Sequence, residues 1–123
     1  VAIKNTEEQV PICAVDFAFR RIGGKYKGRL LWYLHLHKVL RYGELRRSIT
    51  DITPKMLTQT LRELEDDLLI ERKVYHEVPP RVEYSLTEVG KELVPFIEHL
   101  RMWGEQRMKK ENIPMIQQGK CAL

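Results

Sequence analysis

Thr53, Lys55, Thr58, Gln59 and Arg62 are side chains suited to reading nucleic-acid bases, and they fall within one short run. Arg and Lys donate to guanine, Gln pairs with adenine, and Thr meets a thymine methyl or a phosphate. Their spacing matters as much as their type. Leu57, Leu61 and Leu64 recur at i, i+4 and i+7 in the same run, the stripe of a helix facing a core. At roughly 100° per residue, Lys55, Gln59 and Arg62 then lie on the opposite face. Thr53 reads as the N-cap and Pro54 as the first helical residue, where a missing N–H is harmless. Thr58 sits on a flank. An ordinary solvated helix face has the same appearance, so the neighbouring elements must decide.

Arg81 is the second candidate. It follows His76, Glu77, Val78, Pro79 and Pro80, a loop whose prolines cannot continue a strand ladder. An Arg at the tip of such a loop is expected to enter a narrow minor groove, where the negative potential is greatest. A loop charge with no partner is the alternative. Arg41 and Lys25 are weaker candidates for phosphate contacts. Gly23-Gly24-Lys25 before a helix is able to present N–H groups to an anion, but Gly-Gly is also simply a helix breaker. Arg46 and Arg47 suit pairing with nearby acids as well as with phosphates.

Cys13 precedes a helical run, and a thiol at a helix N-terminus has its thiolate favoured by the dipole. A small buried hydrophobe is the competing reading. The second cysteine, Cys121, lies in a polar tail. Two cysteines make no disulfide framework. His35 and His37 stand two apart on a helix end and point away from each other, and His76 and His99 stand alone, so no metal site is expected. No phosphate-binding loop, dinucleotide fingerprint or nucleophile elbow occurs. Neither a cofactor nor a catalytic constellation is expected, and an enzyme is the least favoured class.

The elements that position these residues follow from periodicity. Residues 1 to about 12 read as a loose arm. Ala14 to Ile22 carries Val15, Ala18, Phe19 and Ile22 at helical spacing, and Gly23-Gly24 ends that helix. A second helix is expected from about Lys27 to Leu36, burying Leu30, Leu31, Trp32 and Leu34. A third spans about Tyr42 to Ile49, and after Thr50-Asp51-Ile52 the base-reading helix runs from Pro54 to about Asp66. Ile70 to Tyr75 and Val82 to Leu86 read as two strands joined by the proline loop, a hairpin with a protruding wing. Thr87 is placed to cap one last helix carrying Val89, Leu93, Phe96, Ile97, Leu100 and Trp103. That stripe is longer and more aromatic than one small domain needs, which marks Phe96, Leu100 and Trp103 as a dimer interface. Beyond Lys109 the chain turns polar.

The 123 residues suit one domain, with residues 13–109 structured and 110–123 a tail. Net charge is +4 and pI about 9.1, which fits an anionic partner without demanding one. The distribution says more. Arg20, Arg21, Lys25, Lys27 and Arg29 occur without an intervening acid, whereas Glu63, Glu65, Asp66 and Asp67 cluster later. No apolar run has the length of a membrane span and no signal-peptide pattern opens the chain, so the expected place is the cytoplasm.

Helix, turn, helix and β-hairpin in this order describe an α+β winged helix-turn-helix with flanking helices. The wording is more specific. "YGELRR", "KMLTQTLRELE", "LIERKVY", "EVPPRVEYSLTEVG" and the opening "CAVDFAFRRIGGKYKGRLLWYL" resemble the HxlR family of small prokaryotic winged-helix transcriptional regulators, relatives of the MarR type. The resemblance runs from about Cys13 to Trp103. It implies a homodimer paired through its N- and C-terminal helices and bound to an inverted-repeat operator in double-stranded DNA. It further implies that Cys13 matches a cysteine through which several members sense oxidants or electrophiles. Ala14 stands where the family usually has Pro, Tyr26 replaces the usual Trp, and Leu68 stands where a Gly normally closes the recognition helix.

The resulting expectation is a DNA-binding regulator, acting as a repressor and responsive through Cys13. Two rivals remain at this level. One is a regulator of the same fold controlled by a small ligand held between the dimer helices and the DNA-binding part. The other is a winged helix used only for protein–protein contact.

Overall fold

Leu57, Leu61 and Leu64 meet the core as their spacing requires, each buried almost completely. Around them the computed structural model, which describes residues 10–116, arranges six helices and three strands. The order is α1 Ala14–Ile22, α2 Lys27–His37, β1 Leu40–Arg41, α3 Tyr42–Ser48, α4 Pro54–Asp66, β2 Ile70–Tyr75, β3 Arg81–Leu86, α5 Glu88–Lys91 and α6 Val94–Lys110. Leu30, Leu31, Tyr33 and Leu34 of α2, Leu45 and Ile49 around α3, and Ile70, Tyr84 and Leu86 of the sheet close the same cluster. Tyr33 takes the buried place expected of Trp32, which is only half-buried with His35 and Arg101 against its indole.

The hairpin is part of a three-stranded antiparallel sheet in the order β1-β3-β2. Leu40 and Arg41 pair with Tyr84 and Glu83 of β3, so the wing is tied to the segment between α2 and α3. The register of β2 with β3 sets Ile70 opposite Leu86 and Tyr75 opposite Arg81. Ile70, Tyr84 and Leu86 therefore share the core face.

The expected single terminal helix is two helices. α5 ends at Lys91, and α6 restarts with Pro95 in its first turn, the only part of a helix that tolerates a missing N–H. Thr87 caps α5 as expected, its hydroxyl accepting from Gly90 N–H at 3.0 Å and donating to Leu68 C=O at 2.6 Å. Gly90 permits the close passage of α5 over the start of β2: a Cβ there would lie 2.0 Å from the Leu69 carbonyl oxygen.

The end of α4 is a Schellman turn. Leu69 N–H bonds Leu64 C=O at 3.0 Å, and Leu68 between them has φ 62°. A side chain in this left-handed conformation costs about 1 kcal/mol relative to glycine. Leu68 is also largely exposed, so its side chain contributes little packing. Leu68→Gly is therefore expected to raise stability by about 1 kcal/mol in a urea titration. An unchanged or lower midpoint would show that the leucine contacts outweigh the backbone strain.

Candidate nucleic-acid interface

Thr53 performs the capping role read from sequence. Its Oγ1 accepts from Met56 N–H at 3.1 Å, and Pro54 opens the helix. Pro54, Lys55, Thr58, Gln59 and Arg62 then line one shallow concave surface on the exposed side of α4. Lys55 and Arg62 are exposed and have no hydrogen bond or ion pair among the described residues. Arg46 and Arg47 of α3 are likewise exposed and unpaired among them. Gln59 is partly engaged: its Nε2 donates to Glu63 Oε2 at 3.2 Å. Thr58 Oγ1 lies 3.2 Å from the Tyr42 hydroxyl, which also donates to Pro54 C=O. Tyr42 thus fastens the start of α3 to the start of α4.

The acidic cluster after Arg62 does not cancel this cationic face. Lys27 lies 3.2 Å from Glu63, and Arg21 3.4 Å from Asp67. The Gln59 amide and the Lys27 ammonium lower the Glu63 carboxyl below its usual range.

Of the weaker candidates, Lys25 is placed less freely, whereas the Arg41 side chain is exposed. Lys25 Nζ is 3.6 Å from Asp51. Arg41 caps α3 through its backbone N–H, which bonds Glu44 Oε1 at 2.8 Å. Arg81 is not at the wing tip. It opens β3, with its guanidinium 4.0 Å over the Tyr75 ring, 3.3 Å from Glu77 and 3.4 Å from Glu83. The tip is formed by residues 76–80. Two carboxylates and a ring face within reach hold the arginine back along the hairpin.

Asp51 is a positioning residue that no sequence motif marks. Arg29 donates to both its carboxylate oxygens, at 2.8 and 3.3 Å, and the Tyr26 hydroxyl donates to its backbone carbonyl at 3.1 Å. The turn before α4 is thereby clamped to the N-terminal end of α2. The Arg29 hydrogen bonds, with the charges of Arg29 and Lys25, pull the Asp51 carboxyl down to about 2 from 3.8. A depressed carboxylate pKa stabilises the fold above the ordinary value, and that contribution is lost as pH falls through the depressed one. Asp51→Asn should therefore melt below the parent chain at neutral pH, and the gap should close between about pH 4 and pH 2. A gap that stayed constant across that window would remove the charge from the clamp.

Cys13 is exposed and N-caps α1. The thiol pKa is lowered from its ordinary value by the nearby backbone N–H groups of Asp16 and Val15 in the first turn of α1. Arg20 pairs instead with Asp16 at 2.7 Å and Arg21 with Asp67, so neither acts as the thiol's counter-ion. Cys121 lies outside the described residues.

Phe96, Leu100 and Trp103 lie on α6, partly or largely exposed, and Phe96 faces Val15 and Phe19 of α1. The Phe19 and Phe96 rings meet edge to face at 6.1 Å, which joins the two helices into one apolar surface. Among the described residues, no cluster of His, Cys, Asp and Glu is disposed to hold a metal, and no helix is long and apolar enough to cross a membrane.

The helix-turn-helix formed by α3 and α4, with the wing behind it, has a direct counterpart among known proteins. The HxlR-like helix-turn-helix model matches residues 21–112. The chain belongs to the HxlR family. An uncharacterized HTH-type transcriptional regulator of Methanothermobacter thermautotrophicus is 52% identical over 94 residues, 76% of this chain and 71% of the relative. Among solved structures, the redox regulator HypR in its reduced form superposes with a TM-score of 0.77 at 44% identity, covering 81% of this chain and 98% of HypR. Its oxidized form gives 0.73 at 48%, covering 76% and 96%. The protein is accordingly a winged-helix transcriptional regulator of the HxlR type, with a helix-turn-helix for DNA.

Proposed function

We propose that this HxlR protein binds an inverted-repeat operator as a homodimer, with α4 in the major groove, and represses transcription by occupying the site. The observation that carries the reading is the pair Lys55 and Arg62, free of ion pairs among the described residues on the face opposite the buried leucines. Gln59 and Thr58 complete the base-reading set, and Thr53 orients the first turn. Arg46 and Arg47 supply phosphate contacts beside it. Arg41 and Lys25 are assigned to the backbone as secondary contacts. Arg81 contacts DNA only after exchanging Glu77 and Glu83 for phosphates, so its effect is on affinity and not on base preference. The protein acts in the cytoplasm, where its DNA is.

The test is selection of bound duplexes from a randomised pool, followed by titration of the selected site at fixed salt. Arg62→Ala should lose about 1–3 kcal/mol and relax preference at one base pair in each half-site. Unchanged affinity and preference in both Arg62→Ala and Lys55→Ala would remove this face of α4 from recognition. A chain that enriched no sequence and bound no DNA would favour a winged helix used for protein contact.

Control through Cys13 is part of the proposal. Its exposure, its place at the head of α1 and its lowered pKa support it. The similarity to a protein described as a redox regulator supports it as well.

A further inference from the structure

We propose that the Tyr42 hydroxyl decides which base Thr58 reads: it holds the Thr58 hydroxyl and leaves the Thr58 methyl for a thymine, a step that rests on the function proposed above. Two hydrogen bonds carry the inference. The Tyr42 hydroxyl donates to the Pro54 carbonyl oxygen at 3.2 Å, and it lies 3.2 Å from Thr58 Oγ1. A phenol has one proton, and a carbonyl oxygen only accepts. The Tyr42 proton therefore goes to Pro54, and Thr58 must donate its own proton to the Tyr42 oxygen.

The same chemistry is arranged differently elsewhere in the chain. A Ser or Thr hydroxyl within a helix often turns back to the carbonyl four residues earlier. Thr60 does so, donating to Met56 C=O at 2.7 Å, and Ser48 donates to Glu44 C=O at 2.9 Å. The equivalent carbonyl for Thr58 is that of Pro54, and Tyr42 reaches it from α3. Thr58 bonds the Tyr42 oxygen instead.

The consequence falls on the groove side of α4. Thr58 is half-buried and lines the concave surface with Lys55, Gln59 and Arg62. Its Cβ carries two heavy atoms, and with Oγ1 held by α3 the methyl is the one left to meet a base. A methyl packs against the C5 methyl of thymine, which cytosine lacks, and it offers no proton to guanine O6 or N7. Thymine is thus favoured over cytosine at that base pair by about fourfold, the gain from burying one methyl group. Without the Tyr42 hydroxyl, both rotamers that threonine adopts in a helix become open. The Thr58 proton is then free for the Pro54 carbonyl or for an acceptor on a base, and the preference falls. Tyr42 touches no base in this scheme and acts through Thr58, as a positioning residue.

The test is selection of bound duplexes from a randomised pool with the parent, Tyr42→Phe, Thr58→Val, Thr58→Ser and the double variant Tyr42→Phe/Thr58→Val. Thymine and cytosine forms of the selected site, and nonspecific DNA, are then titrated at fixed salt. Phenylalanine keeps the ring against the core, so Tyr42→Phe should melt within about 8 °C of the parent. Its thymine preference should fall below about twofold, with nonspecific affinity unchanged. Thr58→Ser should lose the preference, which also identifies the base pair. Thr58→Val keeps a methyl and has no hydroxyl to hold, so it should retain the preference and restore it in the double variant. Undiminished preference in folded Tyr42→Phe overturns the proposal, and so does a loss of affinity equal for every sequence, as damaged packing alone would give. A double variant no more selective than Tyr42→Phe overturns it as well. Should Tyr42→Phe fail to fold, Thr58→Val without the preference, or no base pair at which Thr58→Ser loses one, overturns it alone. A parent chain that selects no site overturns the proposed function together with this role of Tyr42, whereas a selected site that Tyr42→Phe reads as the parent does overturns the role of Tyr42 only.

Discussion

Trp103→Glu is expected to yield a folded monomer whose affinity for an inverted repeat falls by about 10²–10⁴-fold. Trp103 is 60% exposed, so a charged side chain there disturbs little within one chain. Across an interface the effect is different. Val15 and Phe19 of α1 continue the surface begun by Phe96, Leu100 and Trp103 of α6. Each large apolar side chain removed from water contributes about 1.5–3 kcal/mol. A carboxylate in the middle of such a surface must be desolvated without a partner or hold the subunits apart. Once they separate, each recognition helix binds its half-site alone, and the gain from tethering two half-sites is lost. Light scattering at micromolar concentration should report a dimer for the parent and a monomer for Trp103→Glu. Melting curves establish that both are folded. A parent chain that is monomeric and still binds the palindrome at full affinity would defeat the dimer reading.

What was legible in the sequence was local. Thr53, Pro54 and the leucine stripe place α4 to the residue because cap, first turn and buried face are all encoded within about four turns of one helix. Gly23-Gly24 likewise marks the end of α1. β1 was not legible: two residues carry no periodicity, and Leu40 and Arg41 become a strand only by pairing with β3, more than forty positions on. The break between α5 and α6 was hidden because Val89, Leu93, Ile97 and Leu100 keep a helical rhythm across it, and only Pro95 gives it away. Arg81 was misplaced because residue type does not reveal a partner. The hairpin register sets Tyr75 opposite it, and Glu77 and Glu83 complete the enclosure. Asp51 escaped notice for a similar reason. Its partner Arg29 lies on another helix, and nothing near Thr50-Asp51-Ile52 announces a clamp.

Oxidation of Cys13 is expected to release the operator, and Cys13→Ser is expected to abolish that response while leaving binding intact. The serine keeps an N-cap of better chemistry than cysteine, so α1 should not be weakened by the change. The wild-type thiol differs in reactivity. Backbone N–H groups of Asp16 and Val15 favour the thiolate, and the thiolate is the nucleophile. With hydrogen peroxide it attacks one peroxide oxygen and forms a sulfenic acid, the other oxygen leaving as hydroxide. A quinone reacts instead by addition at a ring carbon. Either product enlarges the side chain and makes it more polar at the head of α1, next to the apolar surface shared with α6. If that surface joins two subunits, the dimer must repack, and the two copies of α4 shift relative to successive major grooves. Specific binding needs both copies in register with half-sites one helical turn apart, about 34–36 Å, so a displacement of a few ångströms removes most of it. Operator titrations before and after mild peroxide or quinone treatment, in the parent and in Cys13→Ser, measure the effect. Release by the parent alone identifies Cys13 as the sensor. Release by both would move the chemistry to another residue. Retention by both would leave Cys13 as a helix cap, with control of the operator assigned to a ligand.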